Sequence, residues 1–210
     1  MLRPYLGNQR RHLNLARRRE VLKEAVFPLT RDDIVALSQR FDEPDWLREK
    51  RLEAWTLAET LPMPTTSDEP WRRTDIRSVR WEETAYPISP NGASLNDVPG
   101  ELYSPLIGDE QGGLLVFVDG QPVRRVLSEE LAAQGVIFTD LRSAFAEHRE
   151  LVERYFMNQA VQPDEGKFAA LHAALWTHGT FVYVPANVHV ELPLHSVEYV
   201  TGGELTSTHI

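Results

Sequence analysis

The sequence predicts an α+β chain, with helices first, a mixed α/β stretch in the middle and strands at the end. Three observations carry this. Between residues 34 and 61 the apolar residues recur at three- and four-residue spacing, the period of helices with one buried face. Residues 114–126 form two runs around Asp119-Gly120, the dipeptide of a tight β-hairpin. From Phe181 onward the apolar period changes to two, as in half-buried strands.

Taken in order, Thr30 opens the first helix. Thr30 and Asp33 approximate a capping box, and Ile34, Leu37 and Phe41 follow on one face. A second helix begins near Pro44, with Asp42 or Glu43 as its cap. Its stripe is Leu47, Ala54, Trp55, Ala58 and Leu61, and Pro62 and Pro64 end it. Residues 29–61 therefore read as a helical hairpin. Residues 62–111 are rich in Pro, Ser, Thr, Asn and Gly, yet they hold Trp71 and Trp81, which are expected to pack on neighbours.

Leu114–Val118 and Gln121–Val126 read as the hairpin strands, with Pro122 placing the second at an edge. Ser128 caps a short helix over 129–133, and Val136–Phe138 is a short strand. Residues 140–157 read as one amphipathic helix with Leu141, Phe145, His148, Val152 and Tyr155 in line. Residues 166–178 read as another, closed by Gly179 as a left-handed cap. Phe181–Val184 is a strand stopped by Pro185. Val188, Val190, Leu192 and Leu194 then alternate with His189, Glu191, Pro193 and His195, and Ser196–Val200 and a Gly202-Gly203 turn follow. A sheet that has only begun leaves an open edge, so the chain is expected to be cut within a longer protein.

The chain has 210 residues, no Cys, and 22 Lys+Arg against 31 Asp+Glu, for a net charge of -9. That length suffices for a core without staples. Thiolate nucleophiles, disulfides and Cys-ligated zinc or iron–sulfur clusters are excluded. No apolar run is long enough to cross a membrane and no signal-peptide pattern is present, so a cytoplasmic protein is expected. The charge is uneven. Residues 1–23 hold seven basic groups and one acid; the rest holds 15 and 30, a net of -15. The head has three readings: a nucleic-acid arm, a transit peptide or an unstructured extension. The absence of Ser and Thr speaks against a transit peptide, and a solvated extension or loose helix is the reading preferred, with nucleic-acid binding not expected of so acidic a body.

Candidate chemistry is sparse. His189, Glu191 and His195 would share one face of an unbroken strand, and two imidazoles with a carboxylate suit zinc or non-haem iron, as in a cupin-like site. Pro193 in the same row and the need for a polar solvent face argue against it. His178 sits where a helix dipole favours a cation, and His172 reads as a partnered, half-buried side chain. Asp42, Glu43, Asp45 and Glu49 are explained by capping. Arg72 and Arg73 follow Trp71 and read either as a partner contact or as a solvated turn. Nucleotide-binding glycine motifs and the G-x-S-x-G elbow are absent, and Gly112-Gly113 precedes a strand rather than a helix.

Three longer stretches point further: LTRDDIVALSQRFDEPDWLREKRLEAWTLAETLPMPTTSDEPWRRTDI over Leu29–Ile76, GGLLVFVDGQPV at 112–123, and FAALHAALWTHGTFVYVPANVHVELPLH at 168–195. Together, and in this order, they resemble the SufB/SufD family of iron–sulfur cluster assembly proteins, with WRRTD and LVFVDG nearer the SufD branch. One departure is His172, which stands where the family usually has Asn.

The resemblance implies a helical N-terminal region leading into the first rungs of a right-handed parallel β-helix. It divides the chain into a basic extension (1–28), a helical hairpin (29–66), a mixed α/β region (67–178) and a truncated β-helix start (179–210). It implies a non-enzymatic SufD-like scaffold subunit, with SufB-like and SufC-like partners or a homodimer of the full chain. An iron–sulfur cluster and ATP belong to that full complex. The family's functional Cys and His lie in later regions, so no catalytic, cofactor-binding or metal residue is carried over here.

Overall fold

The structure is a computed structural model and describes residues 27–81, 94–105 and 110–201. The basic extension up to residue 26 and the Gly202-Gly203 turn lie outside the described residues. In chain order the elements are α1 (Arg31–Arg40), α2 (Asp45–Thr60), β1 (Gly113–Val118), β2 (Gln121–Leu127), α3 (Glu129–Ala133), β3 (Ile137–Asp140), α4 (Leu141–Glu147), α5 (Arg149–Tyr155), α6 (Lys167–Leu175), β4 (Thr180–Tyr183) and β5 (Leu194–Tyr199). The α+β class therefore holds. The chain divides into two compact units: residues 1–84 with 163–174, and residues 85–162 with 175–210.

The first unit is the helical hairpin with α6 up to Ala174. The predicted capping box is present: the Thr30 hydroxyl accepts from the Asp33 amide, and Asp33 Oδ2 accepts from the Thr30 amide at 2.7 Å. Ile34, Leu37, Leu47, Ala54, Trp55 and Ala58 are buried, as their spacing requires. The cap of α2 differs from expectation. Pro44 takes that position without a side-chain bond, because Glu43 is engaged by Arg51 and Asp42 turns the chain with φ 48°. Leu61 closes the helix, its amide bonding the Leu57 carbonyl, just before Pro62.

The second unit holds both sheets. The hairpin forms as predicted: Asp119 and Gly120 both have positive φ (48° and 78°), the handedness that matches twisted strands. Strand order is β2-β1-β5, so Pro122 lies on an edge strand, and Val123 bulges between the Arg124 and Pro122 pairings. Strand β1 is central and buried along its whole length. Its partner on the other side, β5, runs parallel, pairing Gly113 with Leu194 through Val118 with Tyr199. One face of β1 (Leu114, Val116, Val118) packs with Val98, Val197 and Tyr199, and the other (Leu115, Phe117) with Phe138, Leu127 and Leu194. Strands β3 and β4 form a separate antiparallel pair.

Three elements depart from the pattern. Residues 140–157 are two helices, α4 and α5, broken at His148 (φ -133°, ψ 37°). A straight helix would bury Tyr155. The break leaves Tyr155 49% exposed and turns Phe156 inward instead, against Phe145 and Trp176 at 5.3 and 5.2 Å. Helix α6 ends at Leu175, so Gly179 lies too far along to cap it and its carbonyl accepts from the Leu141 amide. The alternating stretch from Val188 is not a strand until Leu194. A turn with Asn187 at φ 63° and Val188 bonded to the Pro185 carbonyl precedes it, and Pro193 has no amide to donate to a ladder.

Candidate functional site

The residues singled out as a possible metal site are not brought together. His189 and Glu191 are exposed on irregular chain, and only His195 lies in a strand, half-buried in β5 opposite Leu114. No group of three His, Cys, Asp or Glu among the described residues is placed to hold a metal ion. The cupin-like reading is therefore not supported: it required one unbroken strand, and the turn at Asn187 and Pro193 remove it. His195 keeps its Nδ1 buried without a hydrogen-bond partner, beside the apolar face of β1. His172 is half-buried in α6, as expected.

The buried polar centre of the second unit lies elsewhere, at the Asp119-Gly120 turn. His178 is 2% exposed and lies beyond α6, so the helix dipole does not explain it. Its Nε2 meets Glu198 Oε2 at 3.0 Å, its Nδ1 meets the Thr177 hydroxyl at 2.9 Å, and its ring lies 5.4 Å from that of Phe117. Glu198 Oε1 accepts from the Gly120 amide at 3.3 Å. Gly120 is required twice over: its φ is left-handed, and a Cβ there would stand 2.7 Å from His178 Nδ1. On the other side of the turn Asp119 accepts from the Thr201 amide at 2.9 Å and hydroxyl at 2.5 Å. The turn thus grips the end of β5 from both sides. Thr180 and Ser196 hydroxyls meet at 2.7 Å and tie β4 to the same strand. This arrangement fixes a strand end; it places no group against an open cleft.

The first unit has its own buried polar centre. Arg51 is fully enclosed, with Nε and Nη2 on the two Glu43 oxygens at 2.7 and 2.6 Å and Nη1 on the Ala174 carbonyl at 2.9 Å. Sequence reading passed over it, although its signal is there: Arg51 falls on the apolar stripe between Leu47 and Ala54. Nearby, Trp71 and Trp81 both pack on Phe168 as expected of them, and Trp81 also meets Phe27. Lys167 donates to the Ala58 carbonyl and lies 5.8 Å above the Phe27 ring. Burial lowers its pKa from the usual lysine value, against the opposing charge of Glu59.

Residues 36–195 match the family model described as SufBD protein N-terminal region. The chain belongs to the SufBD family. The iron–sulfur cluster assembly protein SufD of Bacillus subtilis is 42% identical over 166 residues, covering 77% of this chain and 37% of that protein. SufB of the same organism is 29% identical over 181 residues, covering 80% and 37%. An iron–sulfur cluster assembly SufBD family protein of Staphylococcus haemolyticus is 30% identical over the same span. The chain thus spans 37% of the length of these relatives. Among the described residues no helix is long and apolar enough to cross a membrane.

Proposed function

We propose that this chain is the N-terminal part of a SufD-like scaffold subunit in the SUF iron–sulfur cluster assembly complex. In this reading it is non-catalytic and cytoplasmic, works with SufB-like and SufC-like subunits or as a homodimer of a longer chain, and binds no cofactor through these residues. ATP hydrolysis belongs to the SufC-like partner. The cluster is the cargo of the complex, and a chain without Cys supplies no thiolate to it.

The observation that supports it best is the 42% identity to SufD. The parallel pairing of β1 with β5 is compatible with β4 and β5 opening a right-handed parallel β-helix. Among the described residues β5 is an edge strand and Val182 and Val184 are exposed, and further strands would cover such surfaces.

A chimaera tests it. Residues 29–199 are joined to the remainder of Bacillus subtilis SufD in place of its own N-terminal part. The reading expects a soluble chimaera that co-purifies with SufB and SufC, while the 210-residue chain alone does not retain SufC. A soluble chimaera that retains neither partner would overturn the assignment.

A further inference from the structure

Strand β2 carries two adjacent arginines, and neighbouring side chains of a strand point to opposite faces. Arg124 lies over the Tyr103 ring at 5.7 Å, on the face of β1 that packs with Val98. Arg125 points the other way, where its Nη1 donates to the Thr139 hydroxyl of β3 at 2.5 Å. Between β2 and β3 lies a cleft of about 510 Å³, within the usual size of a small-molecule site, roughly 300–1,000 Å³. Leu127 and the buried Val136 and Phe138 line it with apolar surface. At the break between α4 and α5, Glu147 and His148 form its third wall. All of these residues belong to the second unit.

Two opposite charges meet at the rim of this cleft without closing on each other. Arg125 Nη1 stands 4.0 Å from Glu147 Oε1, and His148 Nε2 stands 4.0 Å from Glu147 Oε2, both beyond hydrogen-bond length. Among the described residues the Glu147 carboxylate accepts no hydrogen bond. Arg125 has five N–H donors and uses one of them, on Thr139. Both side chains are open to solvent, with exposures of 45% and 55%. The rim therefore offers a guanidinium and a carboxylate side by side, each with bonding capacity left, above an apolar wall.

We infer that this cleft binds a free α-amino acid with an apolar side chain. Such a ligand carries its ammonium and its carboxylate on one carbon, a spacing similar to that of the two charges on the rim. Its carboxylate can take the remaining guanidinium donors of Arg125, and its ammonium can donate to Glu147. Its side chain then covers Leu127 and Phe138. The pairing needs no net charge in the cleft, because the ligand has none. A simple anion would meet Glu147 with like charge, and a simple cation would meet Arg125. This site is separate from the scaffold role proposed above and does not depend on it.

The test uses the 210-residue chain and isothermal titration calorimetry with leucine, N-acetylleucine and leucinamide. Leucine should bind saturably. Each derivative keeps one of the two charges and should bind about tenfold or more weakly. Arg125→Gln should weaken leucine by about tenfold or more and leave leucinamide unchanged, whereas Glu147→Gln should weaken leucine and spare N-acetylleucine. Arg124→Gln, on the opposite face of β2, should leave leucine binding intact. No saturable leucine binding, a derivative that binds as tightly as leucine, or equal loss in Arg124→Gln would each overturn the inference. The two derivatives are read on the unaltered chain, so the result does not hang on the folding of any variant.

Discussion

In the first unit the Arg51 guanidinium is closed in by helices and reaches the two Glu43 oxygens and the Ala174 carbonyl. In the second the His178 ring is closed in by a turn and a strand end and reaches Glu198 and Thr177. Both are buried polar centres, yet they do different work. The Arg51 centre ties α2 to the segment before it and to the end of α6, with side-chain exposures of 0% and 5% for Arg51 and Glu43. The His178 centre has a partner, Glu198, that is 26% exposed, and depends on backbone geometry at Gly120. A fully desolvated charge pair is brittle to loss of one partner, whereas a centre built on a turn is brittle to shape.

The largest effect should come from the brittle charge. Arg51→Ala leaves Glu43 buried without its partner and is expected to cost about 3–5 kcal/mol in urea unfolding. The double variant Arg51→Met/Glu43→Leu removes both charges and should recover most of that loss. A double variant no more stable than Arg51→Ala would show that the pair itself, rather than the orphaned carboxylate, carries the stability.

The second effect tests shape. Gly120→Ala meets both a left-handed φ and the His178 ring and should cost about 1–3 kcal/mol. Gly135 is the internal control: its φ is +82°, but a Cβ there first meets Pro185 Cγ at 3.3 Å. Gly135→Ala should therefore cost measurably less in the same thermal melt. Equal costs would mean that backbone strain alone matters and that contact with His178 adds nothing.

A smaller effect sharpens the helical side. Thr30→Ala removes the box that starts α1 and should cost about 1 kcal/mol. The Thr30 hydroxyl and amide hold the Asp33 pKa below its ordinary 3.8. A depressed carboxyl stabilises the fold above its unfolded pKa, and that contribution is lost as pH falls through the lower, folded value. The stability difference between wild type and Thr30→Ala should thus shrink on acidification below pH 3.8 and stay constant at higher pH.

How far this was legible in the sequence follows the same division. Local signals were fully readable: the Thr30 box, the Asp119-Gly120 turn, the Ser128 cap and the edge position of Pro122 each depend on neighbours within a few residues. The two tryptophans were readable as packed, though not as packed on one ring, because Phe168 lies far along the chain. What failed needed distant partners. His148 looked like one position on a stripe, and the break there is decided by Phe156 and Trp176. Glu198 gave no signal, since its role comes from His178 and Gly120. The row His189, Glu191, His195 looked like a site only while Asn187 and Pro193 were assumed not to interrupt the strand. Arg51 was the one missed centre whose sign was present, a charge on an apolar stripe.

The least effect on stability comes from Asp75. The Arg77 side chain and amide both bond its carboxylate and hold its pKa down to about 2. The pair is exposed to solvent, so it is expected to add nothing measurable to folding while still displacing the titration. The Asp75 carboxyl resonance should accordingly titrate near 2 in the intact chain and return toward 3.8 in Arg77→Ala. Salt should move it the same way, because the attraction is between exposed charges. An Asp75 midpoint of 3.8 in the intact chain would mean that Arg77 is not held against it.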